Sequence, residues 1–247
     1  MEIIIRHWRV SPYAICFLMS FVCAYIYVAL KLRRQGIIKR YIFYMMMLNT
    51  VLILYFGLVY TVVTQLIQGN GIRELGFSSL GGMMGMMLGV FIFSKISPDS
   101  KTAVFRENIK ALGLMYSVSK LGCFFAGCCY GKETSLPFGI LFPEGSFAPA
   151  GVPLLPTQLF SSAGDFVIAF VLVRMTGKMR HTGDVGALYL MLYGIGRFCV
   201  EFLRTNEQGG FIGLTTAQLI SIVFMIISIV LFIRNKRAAD REDLMYI

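Results

Sequence analysis

The feature that most constrains the fold is a series of long apolar runs separated by polar segments. A helix needs about 20 mostly apolar residues to cross about 30 Å of hydrocarbon. Runs of this kind cover residues 11–31, 42–66, 78–94, 104–123, 157–174, 186–204 and 214–233, the fourth being polar at its start. Together with a mean hydropathy of +0.71, they predict an all-α membrane protein with seven transmembrane helices.

The placement of basic residues predicts the orientation of these helices. The net charge is +10, and Lys and Arg concentrate in alternate connections: residues 31–40, 95–110 and 174–180, and the segment after 233. Because cytoplasmic loops carry an excess of Lys and Arg, we expect the N-terminus outside and the C-terminus in the cytoplasm. The same distribution argues against a nucleic-acid partner, since the charges follow the membrane topology.

The chain is predicted to form one integral membrane domain over residues 1–247, because no repeat or low-complexity linker divides it. We expect the first run to be a retained span and not a signal peptide, since it is long and no A-x-A-like site follows it. The connection 124–156 holds five prolines and many glycines, so it is predicted to be an ordered loop on the outer face.

Glycines recur along one stripe of the third run. Gly81, Gly85 and Gly89 are four residues apart, a spacing that lets a second helix approach closely. We interpret the stripe mainly as a packing surface.

The sixth run carries charges where a lipid-facing helix has none. Tyr193, Arg197 and Glu201 follow one another at intervals of four residues, and Arg204 is three residues further on. A charge at mid-bilayer costs roughly 2.5 to 3.5 kcal/mol on insertion scales, so this face must look inward. Two interpretations stay open: an internal Arg197–Glu201 ion pair, or a cavity that binds an anion such as a lipid phosphate.

Two glutamines, Gln158 and Gln218, lie about one turn inside the fifth and seventh runs. Threonines at the same helix starts, Thr157 and Thr215, are common capping residues. The glutamines have no such simple explanation, and they mark the same side of the membrane as the predicted cavity.

Three cysteines lie within seven positions: Cys123, Cys128 and Cys129. Their spacing does not match a zinc site, and the chain has only two histidines, His7 and His181. We therefore expect no metal and, without a nucleotide-binding glycine motif, no cofactor. A disulfide among these cysteines stays open.

The segment KLGCFFAGCCYGK, residues 120–132, resembles the signature R-x-G-N-F-x-N-x-E-x-x-G of the bacterial prolipoprotein diacylglyceryl transferases. Three further segments are similar to motifs of this family in order and spacing. SSLGGMMG (78–85) resembles S-F-H-G-G-L-L-G, LPTQLF (155–160) resembles H-P-T/S-Q-L-Y, and YGIGRFCVEFLR (193–204) resembles Y-G-x-x-R-F-x-x-E-F-x-R.

The resemblance implies an enzyme of lipoprotein biosynthesis in the bacterial cytoplasmic membrane. Its substrates would be phosphatidylglycerol, or a similar anionic phospholipid, and the signal peptide of a prolipoprotein, whose lipobox cysteine receives the diacylglyceryl group. The implied catalytic residues are Arg197, Lys120 and Glu201, with the cations holding phosphate and Glu201 orienting Arg197. The implied substrate-binding residues are Tyr193, Arg204, Gln158, Gly131 and Gly82.

The sequence departs from the family at positions that carry chemistry. The two motif histidines are Leu80 and Leu155, the signature's arginine is Lys120, its acid is Cys128, and its asparagines are Cys123 and Ala126. A general base is consequently missing from its expected place. Two alternatives follow: an enzyme of the same fold with another acceptor, or a non-catalytic lipid-binding membrane protein.

Overall fold

A computed structural model describes residues 3–5, 8–67, 76–96, 101–179, 181–204 and 213–245. Within these residues seven long helices form: α1 (Pro12–Arg34), α2 (Lys39–Ile67), α3 (Ser79–Ile96), α4 (Lys101–Ala126), α5 (Thr157–Met175), α6 (Thr182–Glu201) and α7 (Thr216–Met245). Each contains most of one predicted run, although α6 ends at Glu201, three residues earlier than expected. His7 and residues 205–212 of the sixth connection lie outside the described ranges.

Length and apolarity confirm a helical membrane protein. Within the residues that the structure describes, five helical stretches are long and apolar enough to cross a membrane: Pro12–Arg34, Lys39–Leu66, Lys101–Ala126, Thr157–Lys178 and Thr216–Arg237. Leu80–Ile96 is a shorter apolar helix. The helix α6 is not among these stretches, because it carries the charged residues Asp184, Arg197 and Glu201 and is less apolar than the five. That all seven helices span the membrane, and in which direction, stays a prediction.

Four short strands were not predicted. The strands β1 (Ile3–Ile5) and β2 (Trp8–Val10) form one antiparallel pair. The strands β3 (Ile140–Leu141) and β4 (Pro153–Leu154) form another within the predicted outer loop. Pairs this short carry little periodicity, so sequence reasoning had no basis for finding them.

The chain divides into two compact units, one formed by residues 25–108 and the other by residues 1–24 with 109–247. The single membrane domain expected from the sequence stays a prediction.

In the unit 25–108, the glycine stripe of α3 packs against α2. A Cβ at Gly81 would clash with the backbone of Phe56, and one at Gly85 would clash with the backbone of Leu52. The backbones approach this closely only because glycine has no side chain. The interpretation of the stripe as a packing surface is confirmed.

The polar start of α4 belongs to the same unit and is buried. The Glu107 carboxylate accepts hydrogen bonds from the Tyr27 hydroxyl at 3.0 Å and from the Gln35 amide at 3.2 Å. Asn49 donates to Asn108 at 3.2 Å. These contacts, which come from α1, α2 and the residue after α1, give the buried polar groups of α4 hydrogen-bond partners.

In the other unit, the connection 127–156 folds against the ends of α5 and α6. Its small core is formed by Phe142, Ala148 and Leu154. The backbone of Lys132 donates to Leu203 at 2.8 Å and accepts from Leu155 at 3.0 Å. These bonds fix the loop to the end of one helix and the start of another.

The glycine packing predicts that Gly85→Ala destabilises the protein. The added methyl meets backbone, which cannot rotate away, so we expect a loss of about 1–3 kcal/mol, measured as a lower unfolding midpoint in detergent. Gly164→Ala is the matched control, because a Cβ at Gly164 meets nothing within 4 Å. The control should be neutral or stabilised by about 0.5–1 kcal/mol. Equal effects of the two changes would contradict the packing argument.

Candidate functional site

A cavity lies between α4, α5 and α6, in the unit that contains residues 109–247. Its lining residues come from these three helices: Lys120, Phe160, Ser161, Gly164, Asp165, Ile168, Tyr193, Gly196, Arg197 and Val200. Lys120, Tyr193 and Arg197 were predicted site residues, so the structure brings three of them together at one surface. Two cations and one carboxylate line an otherwise mostly apolar cavity.

Glu201 lies at the end of α6 and organises the charges around the cavity. Its side chain is only 2% exposed. Oε2 is 2.9 Å from Nη1 of Arg197 and 3.6 Å from Nη1 of Arg204, while Oε1 accepts a hydrogen bond from the Thr215 hydroxyl at 3.1 Å. The predicted Arg197–Glu201 ion pair is therefore present, and Arg197 also lines a cavity, while the binding of an anion there stays a prediction.

Two arginines share the Glu201 carboxylate, and Lys120 of α4 lines the same cavity as Arg197. The basic groups thus exceed the acidic groups, Glu201 and Asp165, by one. A site with this balance attracts an anion, and guanidinium groups favour a phosphate because their forked N–H groups match its oxygens.

The position of Arg204 corrects the prediction that it belongs to the same helix. The residue lies beyond the end of α6, where it forms an isolated antiparallel bridge with Gly131. Its backbone N–H still donates to the Glu201 carbonyl at 3.2 Å. Arg204 therefore reaches the Glu201 carboxylate from a turn. Helical periodicity predicted this contact correctly, but the helix that was expected to carry Arg204 ends before it.

Gly131 has a clear packing role. A Cβ at this position would lie 2.7 Å from the Leu155 side chain, the Leu203 carbonyl oxygen and the Thr157 methyl group. Only glycine lets the loop pass between the start of α5 and the end of α6. Gly82 lies in α3, in the other unit, where a Cβ would meet the Phe77 ring at 2.9 Å. Substrate binding by either glycine stays a prediction.

Thr157 and Gln158 hold the cysteine loop in place. The Thr157 hydroxyl donates to the Cys129 carbonyl at 2.7 Å, and the Gln158 amide donates to the Cys128 carbonyl at 2.8 Å. Both side chains are about 1% exposed. Gln158 is therefore a positioning residue in this structure, and its predicted contact with substrate stays untested. Gln218 also has a structural role, since it forms reciprocal capping bonds with Thr215 at the start of α7.

The side chains of Cys123, Cys128 and Cys129 meet in space. Their sulfur atoms all lie within 4.8 Å of one another, and all three cysteines are free. Cys129 has a backbone φ of 60°, a left-handed conformation that is unfavourable for a residue with a side chain. The Thr157 bond to its carbonyl helps to maintain this turn.

The environment shifts the pKa values of the Cys128 and Cys129 thiols in opposite directions. Hydrogen bonds with the sulfurs of Cys123 and Cys129, together with burial, raise the pKa of the Cys128 thiol. Hydrogen bonds from its two cysteine neighbours lower the pKa of the Cys129 thiol. The positive charges of Lys120 and Arg204 act on Cys129 in the same direction.

Sequence reasoning missed Asp165. This residue lies in α5, lines the cavity and is only 6% exposed. The signal was available, because a carboxylate inside a transmembrane helix is costly and marks a functional position by default. Asp165 lies in an apolar run that is long enough to predict a membrane span in spite of this one acid.

The arrangement defines a multi-pass helical membrane protein with a cavity that two basic side chains, Lys120 and Arg197, line. The sequence model of the prolipoprotein diacylglyceryl transferase family matches residues 2–234. The chain therefore belongs to that family.

Curated relatives carry the same name. The chain is 40% identical over 167 residues to phosphatidylglycerol–prolipoprotein diacylglyceryl transferase 2 of Clostridium perfringens, with 68% of this chain and 65% of that protein covered. It is 38% identical over 157 residues to the corresponding protein of Clostridium tetani, with 64% and 63% covered. The chain thus spans slightly less than two thirds of the length of these relatives.

The Thr157 contact predicts a stability effect. Thr157→Val removes the hydroxyl and leaves the Cys129 carbonyl without this donor, so we expect a loss of about 1–3 kcal/mol in unfolding free energy. The matched control is Thr64→Val, because the Thr64 hydroxyl bonds only to carbonyls of its own helix. That change should cost less than about 0.5 kcal/mol. Thiol labelling of the loop cysteines should accelerate in Thr157→Val alone, and unchanged labelling would count against the clamp.

Proposed function

We propose that this protein transfers the diacylglyceryl group of phosphatidylglycerol, or a similar anionic phospholipid, to the lipobox cysteine of a prolipoprotein. The observation that carries the proposal is the pairing of Arg197 with buried Glu201 at a cavity that Lys120 also lines. Membership of the transferase family supports the same reaction.

The proposal includes the membrane topology. All seven helices cross the bacterial cytoplasmic membrane, with the N-terminus outside, and the connection 127–156 lies on the outer face. The positive-inside distribution of Lys and Arg supports this orientation. The cavity then meets phospholipid head groups of the outer leaflet, where a secreted precursor presents its signal peptide.

In the proposed reaction, Arg197 and Lys120 bind the phosphodiester of the lipid. The acceptor sulfur attacks the glyceryl carbon that carries the phosphate, forming the C–S bond as the C–O bond breaks. The bonding electrons leave on the phosphate oxygen, which departs as glycerol phosphate. Preorganised cations stabilise this developing charge without reorganisation, and the bond to Glu201 keeps Arg197 oriented.

Asp165 supplies a proton acceptor in place of the family's two motif histidines, which are Leu80 and Leu155 in this chain. Of the described residues that line the cavity, it is the only carboxylate. We assign it the role of accepting the proton of the incoming thiol, which must be a thiolate to attack.

A second candidate function is transfer from the same lipid to a different acceptor. The replacement of the signature acid by Cys128, and of its first asparagine by Cys123, favours this alternative because both positions belong to the same sequence motif as Lys120. The test is to offer phosphatidylglycerol with a lipobox peptide and to identify every lipid-derived product by mass spectrometry. A modified peptide supports the first proposal, and glycerol phosphate release without peptide modification supports the second.

Arg197→Ala should abolish modification of a reporter lipoprotein in bacteria depleted of their own diacylglyceryl transferase. Loss of one preorganised cation costs on the order of 10²- to 10³-fold in rate. Arg197→Lys, which keeps the charge but lacks the fork, should retain partial activity. The control is Arg174→Gln at the far end of α5, where the guanidinium stacks on Phe170. Unchanged modification in Arg197→Ala would refute the assignment.

Asp165→Asn tests the proton acceptor. We expect kcat to fall about 10²- to 10⁴-fold with little change in KM, because the amide keeps the size of the side chain but cannot take a proton. Glu144→Gln, in the exposed part of the connection 127–156, is the control and should keep full activity. A rise in KM at constant kcat would instead assign Asp165 to substrate binding.

A further inference from the structure

Three cysteines that are separated by up to six positions in the sequence form one cluster in the structure. The cluster joins the last turn of α4, through Cys123, to the loop residues Cys128 and Cys129. Their sulfurs lie within 4.8 Å of one another, and the three side chains are partly buried. In a tetrahedral zinc site with Zn–S bonds of about 2.3 Å, neighbouring sulfurs are about 3.8 Å apart, so the three side chains have to close by up to about 1 Å to bind the ion.

The backbone of the cluster is built and held in place. Thr157 and Gln158, both almost fully buried, each bond to the carbonyl of one loop cysteine. Gly127 and Cys129 adopt positive φ values of 74° and 60°, which fold the loop tightly enough to return two sulfurs to the end of α4. A cysteine in the left-handed region has a conformational cost, so the arrangement is specified and not accidental.

We propose that Cys123, Cys128 and Cys129 bind a zinc ion through their three sulfurs and leave a fourth position for the thiol of the acceptor substrate. Zinc prefers four ligands, and catalytic zinc sites use three protein ligands with one open position. Among the described residues no fourth histidine, cysteine or carboxylate joins the group. The proposal departs from the sequence-based expectation of no metal, because that expectation rested on spacing along the chain.

The zinc proposal solves a chemical problem in the proposed function, on which this part of the inference rests. A free thiol has a pKa of about 8.5 and an aspartic acid of about 3.9, so a carboxylate alone is a weak base for a thiol. A thiol that coordinates a zinc ion is deprotonated outright. Asp165 can then accept a proton that the metal has already made acidic.

The location of the cluster suits this role. Lys120 lies one helical turn before Cys123 on α4 and also lines the cavity. Its charge acts on both Cys129 and Cys123. A thiolate bound at the open position would face a phosphodiester held by Lys120 and Arg197. The acceptor S–H bond breaks, its proton passes to Asp165, the C–S bond forms and glycerol phosphate leaves with the electrons of the C–O bond.

The first experiment measures the metal directly. The full chain, purified in detergent under reducing conditions, is incubated with Zn²⁺, passed through a desalting column and analysed by elemental mass spectrometry. We expect equimolar zinc, and with Co²⁺ as a probe, visible bands typical of tetrahedral thiolate coordination. Cys123→Ser, Cys128→Ser and Cys129→Ser should each lose the zinc and the bands. The matched control Cys199→Ser, which changes an exposed cysteine of α6, should keep both.

Absence of zinc, zinc retained in the three cluster variants, or a disulfide within the cluster of the reduced protein would overturn the proposal. Monodispersity by size-exclusion chromatography shows whether each variant is folded. Cys128→His serves as a second variant, since a histidine can replace a thiolate ligand and should restore zinc binding that serine loses.

The second experiment separates the metal from the transfer reaction. Lipobox peptide modification is measured in zinc-loaded protein, in chelator-treated protein and after zinc is added back, while Co²⁺ spectra record whether the peptide thiol enters the coordination sphere. Transfer that disappears on chelation and returns with zinc supports the role in thiol activation. Full transfer by metal-free protein would refute that role and leave the proposed function intact. Bound zinc without any transfer or spectral change would refute both the proposed function and thiol activation, while the metal site would stand.

Discussion

The carboxylate of Glu201 is the contact on which the site depends. It is buried at the end of α6, where an unpaired charge would be strongly unfavourable, and its partners are Arg197, Arg204 and the Thr215 hydroxyl. These partners come from α6, from the turn beyond it and from the start of α7. One carboxylate therefore joins two helices and fixes the direction of the Arg197 guanidinium toward the cavity. Removing Arg197 would leave the buried carboxylate with one partner fewer, so both the fold and the site depend on this pair.

The second constraint is the attachment of the connection 127–156 to the helix ends. Gly131 lets this loop pass between α5 and α6, and the side chains of Thr157 and Gln158 bond to its carbonyls. These contacts act on the backbone of the loop. They therefore do not require cysteine side chains at positions 128 and 129. The signature's acid and first asparagine are Cys128 and Cys123 in this chain. Together with Cys129, these two residues form one cluster of sulfur atoms. A loop held by its backbone, with cysteines at these positions, is the physical basis for proposing a different way of activating the thiol.

The sequence by itself determined the helical membrane class, the approximate bounds of all seven long helices and the family. Apolar length is a property of each segment alone, because every backbone group in lipid must be bonded within its own helix. The same reasoning found the Arg197–Glu201 pair, since residues four positions apart share a helix face. The glycine stripe of α3 was interpreted correctly for a similar reason: a fixed spacing along one helix is visible without knowing its partner.

Only the tertiary structure decided which residues from different segments meet. Asp165 joins Lys120 and Arg197 because three helices pack around one cavity, and Arg204 reaches Glu201 from a turn that helical periodicity did not anticipate. The cysteines form a cluster because a left-handed residue reverses the loop and two side chains of α5 hold it there. Spacing along the chain reports contacts within a helix or strand, whereas the path of a loop is set by distant packing and hydrogen bonds. The scaffold could therefore be predicted from local pattern, and the donor set of the site could not.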